Sequence, residues 1–109
     1  MSIIMKAMEI MTFGAHIREL RENKGLTLKE VSKAVGIDIS LLAKIERSER
    51  YPTKEFIGKI SKLFEVDSKK LLNEYLSDQI AYKILDEQAD LNILKVAENK
   101  ITYLKSIKR

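Results

Sequence analysis

From Thr12 onward, apolar residues recur every three or four positions, which is the spacing of amphipathic α-helices. Short turns containing Gly, Asn, Asp or Pro separate these stretches, so the pattern predicts five short helices up to Leu72. Thr27 and Glu30 have the spacing of a capping box, in which each side chain accepts a hydrogen bond from the other residue's N–H. The residues predicted to begin or end these helices are Thr12, Gly25, Thr27, Gly36, Asp38, Thr53 and Ser68.

The sequence after Tyr75 contains neither Gly nor Pro, and its apolar residues continue at helical spacing. The stretch from Asp86 to Asp90 is polar, and Asp90 is a suitable N-cap, so we interpret the segment as two helices rather than one. The chain then divides into an N-terminal extension at residues 1–11, a domain at 12–74 and a C-terminal helical segment at 75–109. The predicted fold class is all-α.

Composition favours a small helical domain and removes several classes of function. The chain has 109 residues with one Pro and four Gly, so helix formers outnumber turn residues. It has no Cys and one His, so we expect no disulfide scaffold and no metal site. The small size leaves little room for a ligand-sensing domain, so we also expect no cofactor and no small-molecule ligand. The absence of an export signal and of a long uncharged run predicts a cytoplasmic protein without membrane association. A net charge of +4 favours an anionic partner without establishing one.

The segment Thr27–Glu46 has the features of two helices joined by a tight turn. Gly36 accepts the positive φ that such a turn requires, and the small Ser32 allows the two backbones to approach each other. Leu42 and Ile45 share the face that buries the second helix. The N-terminal side chains of that helix are then free to enter the major groove of DNA.

Residues Phe13–Leu72 resemble, without a gap, the Cro and phage-repressor type of helix-turn-helix regulator, also called the XRE family. The matching motifs are an opening helix ending in Lys-Gly-Leu-Thr, a Gly-Ile turn, an Ile-Glu-Arg element, a Pro-Thr entry to the fourth helix and a Val-x-x-x-x-Leu-Leu finish. The resemblance implies a five-helix lambda-repressor-like domain, followed by one or two C-terminal helices. It also implies binding to double-stranded DNA and no enzymatic activity.

The resemblance assigns roles to individual positions. Arg21 and Glu46 stand where the family has an ion pair that locks the first helix to the recognition helix, which is scaffold chemistry. Leu28 stands where the family usually has a phosphate-binding Gln, so Lys29 or the backbone amides at the helix start are expected to substitute. The positions implied to contact bases or phosphates are Lys29, Ile39, Ser40, Leu41, Ala43, Lys44, Arg47, Arg50, Tyr51 and Lys54.

The apolar stripe of the C-terminal segment is too long to be covered by five short helices that fill their own core. We expect part of it to pair between two chains, because two-fold symmetric DNA reading requires a dimer; the alternative is that the segment folds back on its own domain. The expected interface residues are Leu76, Ile80, Ile84, Leu94, Ile101 and Leu104.

The functional interpretation is a homodimeric transcription regulator that reads a palindromic or pseudo-palindromic operator. Its overall layout resembles that of the controller proteins of restriction-modification systems. The alternative hypothesis is an antitoxin whose C-terminal helices bind a toxin, with DNA binding serving its own regulation.

Overall fold

Six α-helices and no β-strand make up residues 11–107, the part of the chain that the computed structural model describes. The predicted all-α fold class is therefore confirmed. The N-terminal extension predicted at residues 1–11 lies, apart from Met11, outside the described residues. The helices are α1 Phe13–Asn23, α2 Leu28–Val35, α3 Ile39–Glu46, α4 Lys54–Phe64, α5 Ser68–Asp86 and α6 Ile93–Ile107. Within 11–107, no helix combines the length and the apolar character needed to cross a bilayer.

Side-chain caps determine where three of the helices begin. The hydroxyls of Thr12 and Thr53 accept hydrogen bonds from N–H groups in the first turns of α1 and α4, at 3.2 and 3.0 Å. At the start of α2 the predicted capping box is present, with Thr27 accepting from Glu30 N–H at 3.0 Å and Glu30 accepting from Thr27 N–H at 2.8 Å. Asp38 is the N-cap residue of α3, but its side chain accepts no hydrogen bond from a backbone N–H of the helix and instead accepts one from the Ser40 hydroxyl at 3.4 Å. The predicted position of Asp38 at the start of the helix is therefore confirmed, whereas the expected capping bond from its side chain is not formed.

One hydrophobic core joins α1, α2, α3, α4 and the beginning of α5. Burial of these apolar side chains is the main favourable contribution to the stability of the fold. Partly buried residues, among them Leu28, Leu41 and Tyr75, pack against the core from its edges. The core consists of Phe13, Ile17, Val31, Val35, Leu42, Ile45, Phe56, Ile57, Ile60, Phe64 and Leu71.

α5 is one continuous helix, whereas the sequence predicted a short fifth helix and a separate helix after Tyr75. The interval from Ser68 to Asp86 contains no Gly or Pro, so nothing in the backbone ends the helix within it. Contacts with α1 also continue along α5. The ring of Tyr75 meets that of Phe13 edge-on, with 6.0 Å between centroids, and a carboxylate oxygen of Asp78 accepts a hydrogen bond from Phe13 N–H at 2.8 Å.

The chain separates into two compact units, one ending at Asp78 and the other beginning at Gln79. The described part of the second unit consists of the end of α5, a short turn and α6. The turn spans residues 87–92 and contains all of the polar stretch predicted to separate two helices except Asp86, which ends α5. α6 has no buried residue, so this unit has little apolar core of its own.

Candidate nucleic-acid interface

A left-handed glycine and two backbone hydrogen bonds close the turn between α2 and α3. Gly36 has a φ of 73°, a conformation that favours glycine. The N–H groups of Gly36 and Ile37 donate to the carbonyl oxygen of Ser32, at 2.9 and 3.1 Å. Ser32 is buried, and its hydroxyl donates to the carbonyl oxygen of Lys29 at 2.9 Å. α2 and α3 therefore form a tight helix-turn-helix unit.

Arg21 of α1 and Glu46 at the end of α3 form a two-pronged ion pair. The Arg21 Nε and Nη2 atoms donate to the two carboxylate oxygens of Glu46 at 2.8 and 3.1 Å, and Nη1 donates to the Leu26 carbonyl oxygen at 2.9 Å. The side chains are 12% and 4% exposed, so water screens the pair little. The hydrogen bonds with Glu46 raise the pKa of Arg21 above its usual value. The pair ties α3 to α1 and to the turn before α2.

Gly14 in the first turn of α1 is a second device that positions α3. A Cβ atom at this residue would lie 2.2 Å from the carbonyl oxygen of Ile45 and 2.8 Å from that of Glu46. Only glycine therefore allows α1 to approach the C-terminal end of α3 this closely. Our sequence interpretation did not single out Gly14, although a glycine inside a helical pattern indicates a close backbone approach.

The outward face of α3 presents part of the predicted DNA-reading set. Ile39, Ser40 and Lys44 are exposed, as expected for groups that contact bases. Ala43 is partly buried, and Leu41 is partly buried and packs against the core. Leu41 is less exposed than Ile39, Ser40 and Lys44, because the apolar face of an amphipathic helix is wide enough to include a neighbour of Leu42.

The remaining predicted DNA-contacting residues, Lys29, Arg47, Arg50, Tyr51 and Lys54, are all exposed. The Arg47 guanidinium is paired with Glu49, with Nε and Nη2 donating to the two carboxylate oxygens at 2.8 and 3.2 Å. The sequence interpretation did not consider Glu49, whose spacing of two residues from Arg47 was the available signal. Among residues 11–107 there is no group of His, Asp or Glu side chains that could hold a metal ion.

Five of the six residues predicted for the dimer interface are exposed in the single chain, namely Leu76, Ile80, Leu94, Ile101 and Leu104. Ile84 differs, because it is only 9% exposed and already buried within its own chain. Other exposed apolar residues of this segment, outside the predicted interface set, are Leu85, Leu91, Ile93, Val96, Tyr103 and Ile107.

Comparison with known proteins agrees with this geometry. Residues 17–71 match the sequence model of the helix-turn-helix family. Over 64 residues the chain is 34% identical to the uncharacterized HTH-type transcriptional regulator YazB of Bacillus subtilis, covering 59% of this chain and 93% of YazB. Two solved structures have the same fold, each with a TM-score of 0.52.

The first of these is the restriction-modification controller protein C.AhdI of Aeromonas hydrophila, at 28% identity over 58% of this chain and 96% of that one. The second is SinR, the master regulator for biofilm formation, in complex with DNA, at 32% identity over 56% of this chain and 98% of that one.

These matches, together with the turn at Gly36 and the exposed face of α3, define a regulator with a helix-turn-helix DNA-binding fold. The chain belongs to the helix-turn-helix family, in its XRE-type branch.

Proposed function

We propose that this protein is a sequence-specific regulator of transcription that acts as a homodimer on a palindromic or pseudo-palindromic operator. The observation that carries the proposal is the exposed face of α3, with Ile39, Ser40 and Lys44, on a helix held by the buried pair of Arg21 and Glu46. A helix held in this way can enter the major groove while the rest of the domain rests on the phosphates. The related SinR structure with DNA supports this assignment.

Each exposed group has a proposed partner on the duplex. Lys44 donates to guanine O6 or N7, Ile39 packs on a thymine methyl group, and Ser40 donates to or accepts from a base edge. Arg47 contacts a phosphate, and Lys29 with the backbone amides at the start of α2 contacts another. The proposed flanking contacts are Leu41, Ala43, Arg50, Tyr51 and Lys54.

The assignment of Lys44 and Arg47 is tested by their alanine variants, with Lys95→Ala in the second unit as the control for losing one positive charge. Lys44→Ala should weaken binding to a selected duplex by about 1–3 kcal/mol and relax the preference at one base position. Arg47→Ala should weaken binding to selected and random duplexes alike and reduce the salt dependence. Equal losses on both duplexes for Lys44→Ala would contradict its role in base reading.

The homodimer is proposed from the second unit, which exposes Ile80, Leu94 and Ile101 around an open groove of about 420 Å³. A contiguous apolar surface of this kind is typical of a protein–protein interface. A second copy is the proposed occupant, because a two-fold dimer places two recognition helices on half-sites about 34 Å apart.

Sedimentation velocity tests the dimer with a matched pair of variants on α6. Ile101→Asp places a charge on the apolar side and should give a monomer, whereas Asn99→Asp should stay dimeric. The monomer should also bind a duplex with two half-sites no better than one with a single half-site. A monomeric wild type, or a dimeric Ile101→Asp protein, would contradict the proposal.

The particular role proposed first is a controller of a restriction-modification system, supported by the likeness to C.AhdI. A regulator of this kind acts by binding DNA, so we propose that the protein has no enzymatic activity and is located in the cytoplasm, where the DNA is. The exposed apolar face of α6 favours one alternative, an antitoxin that covers a toxin with this face. A purified homodimer that does not bind the product of a neighbouring toxin-like gene would reject the antitoxin role.

A further inference from the structure

Glu49 lies three residues after the end of α3 and forms an ion pair with the side chain of Arg47. The two carboxylate oxygens of Glu49 accept hydrogen bonds from Arg47 Nε and Nη2 at 2.8 and 3.2 Å. The side chains are 54% and 53% exposed, so burial does not hold them together. The pair is therefore open to exchange with another anion that approaches α3.

The backbone at Glu49 is nevertheless fixed to α3. Ser48 adopts a left-handed conformation with a φ of 62°, and its N–H donates to the Ile45 carbonyl oxygen at 3.0 Å. The N–H of Glu49 donates to the carbonyl oxygen of Lys44 at 2.8 Å. These two bonds form a Schellman motif, which holds Glu49 at the end of the recognition helix.

The contact uses the part of Arg47 that a phosphate would need. A guanidinium grips a phosphate best with two parallel N–H donors, and Glu49 takes Nε and Nη2 as one such pair. The hydrogen bonds from Arg47 lower the pKa of Glu49, and the charges of Arg47 and Lys44 lower it further. Glu49 is therefore ionised at neutral pH, beside the cations proposed to meet DNA.

We propose that Glu49 is an internal substitute for a DNA phosphate, which the duplex must displace from Arg47 before Arg47 can contact the backbone. This inference rests on the proposed function. The exchange replaces one carboxylate–guanidinium contact by a phosphate–guanidinium contact and leaves a carboxylate next to the duplex. Glu49 consequently weakens binding to every sequence while leaving the choice of bases to the face of α3.

The test compares Glu49→Gln with Glu22→Gln in the full chain, by titration of a random duplex and of a duplex selected by the wild type. Glu22 is a matched control, because it is also exposed and pairs with an arginine, Arg18, at 3.2 Å. Glu49→Gln should tighten binding to both duplexes about two- to fivefold at moderate salt, with base preference unchanged. The slope of log affinity against log salt should steepen by up to about 0.9.

The same change in an Arg47→Ala background separates displacement from general repulsion. There, Glu49→Gln should tighten binding less than it does in the presence of Arg47, because no guanidinium remains to be released and only the repulsion between the carboxylate and the duplex is removed. Equal or weaker binding of Glu49→Gln, or an undiminished gain without Arg47, would overturn the inference while leaving DNA binding intact. If the wild type binds neither duplex, the proposed function itself fails.

Discussion

The buried ion pair between Arg21 and Glu46 is the contact most sensitive to a single substitution. Arg21→Ala removes two hydrogen bonds from a carboxylate that is 4% exposed, and a third from the carbonyl oxygen of Leu26. The carboxylate is then left buried without a cation. Breaking a buried pair from one side costs about 3–5 kcal/mol, a large share of the 5–15 kcal/mol that stabilises a typical domain.

Arg18 on the same helix provides the control. It forms an exposed pair with Glu22 at 3.2 Å, four residues further along α1. Such pairs contribute about 0.3–0.5 kcal/mol, so Arg18→Ala should leave stability nearly unchanged. Arg21→Lys should recover only part of the loss, because an ammonium group cannot reproduce the two-pronged contact with Glu46.

Urea denaturation followed by circular dichroism measures the free energy of unfolding of each variant. The expected order of stability is wild type and Arg18→Ala together, then Arg21→Lys, then Arg21→Ala. DNA affinity should fall with the folded fraction of Arg21→Ala. A loss of less than about 1 kcal/mol for Arg21→Ala, as small as that expected for Arg18→Ala, would refute the idea that the Arg21–Glu46 pair holds α3 in place.

Three further substitutions and one control test local contacts of α1, α3 and α5. Gly14→Ala should destabilise the protein by about 1–3 kcal/mol in urea denaturation, because its Cβ would meet backbone oxygens, whereas Gly58→Ala, with nothing within 4 Å, should stabilise it by about 0.5–1 kcal/mol. Ser48→Gly should raise the melting temperature, because Ser48 holds a φ of 62° that glycine adopts without strain. Burial raises the pKa of Asp78, although the hydrogen bond from Phe13 N–H opposes this shift. The protonated carboxyl group therefore stabilises the fold at low pH, and this stabilisation is lost as pH rises through the folded pKa. The stability of Asp78→Asn relative to wild type should therefore increase as pH rises from below the unfolded pKa through the raised folded pKa, and then stay constant.

Each of these expectations has a clear contrary result. Equal effects of Gly14→Ala and Gly58→Ala on the free energy of unfolding would mean that α1 and α3 can move apart without loss of stability. An unchanged or lower melting temperature for Ser48→Gly would show that the left-handed residue is not strained. A pH-independent difference between Asp78→Asn and wild type would show that burial of the carboxyl group has no energetic consequence.

Local signals predicted the helix-turn-helix part of the fold well. Thr27 with Glu30 marks a helix start through hydrogen bonds within four residues, and Gly36 marks a turn through its own backbone freedom. The pairing of Arg21 with Glu46 spans 25 residues, and only the resemblance to a known family indicated it. Such a contact depends on the tertiary path of the chain, which composition and periodicity do not contain.

The errors came partly from contacts between helices and partly from local signals that were given too little weight. α5 continues through Tyr75 because no residue there breaks a helix, and its contacts with α1 cannot be read from its own periodicity. Leu41 and Ile84 are more buried than expected, since burial depends on the neighbours that surround a helix. Glu49 went unnoticed although it lies only two residues from Arg47, because the spacing alone does not show that its carboxylate reaches the guanidinium.

Selection of bound duplexes from a random pool, at about 0.1 M salt, tests most directly whether α3 reads DNA as part of a dimer. The predicted result is an enriched inverted repeat with half-site centres about 34 Å, or a multiple of one helical turn, apart. The same selection with Lys44→Ala should lose the preference at one position in each half-site. A pool without enrichment, or an enriched site without two-fold symmetry, would contradict the proposed homodimeric reader.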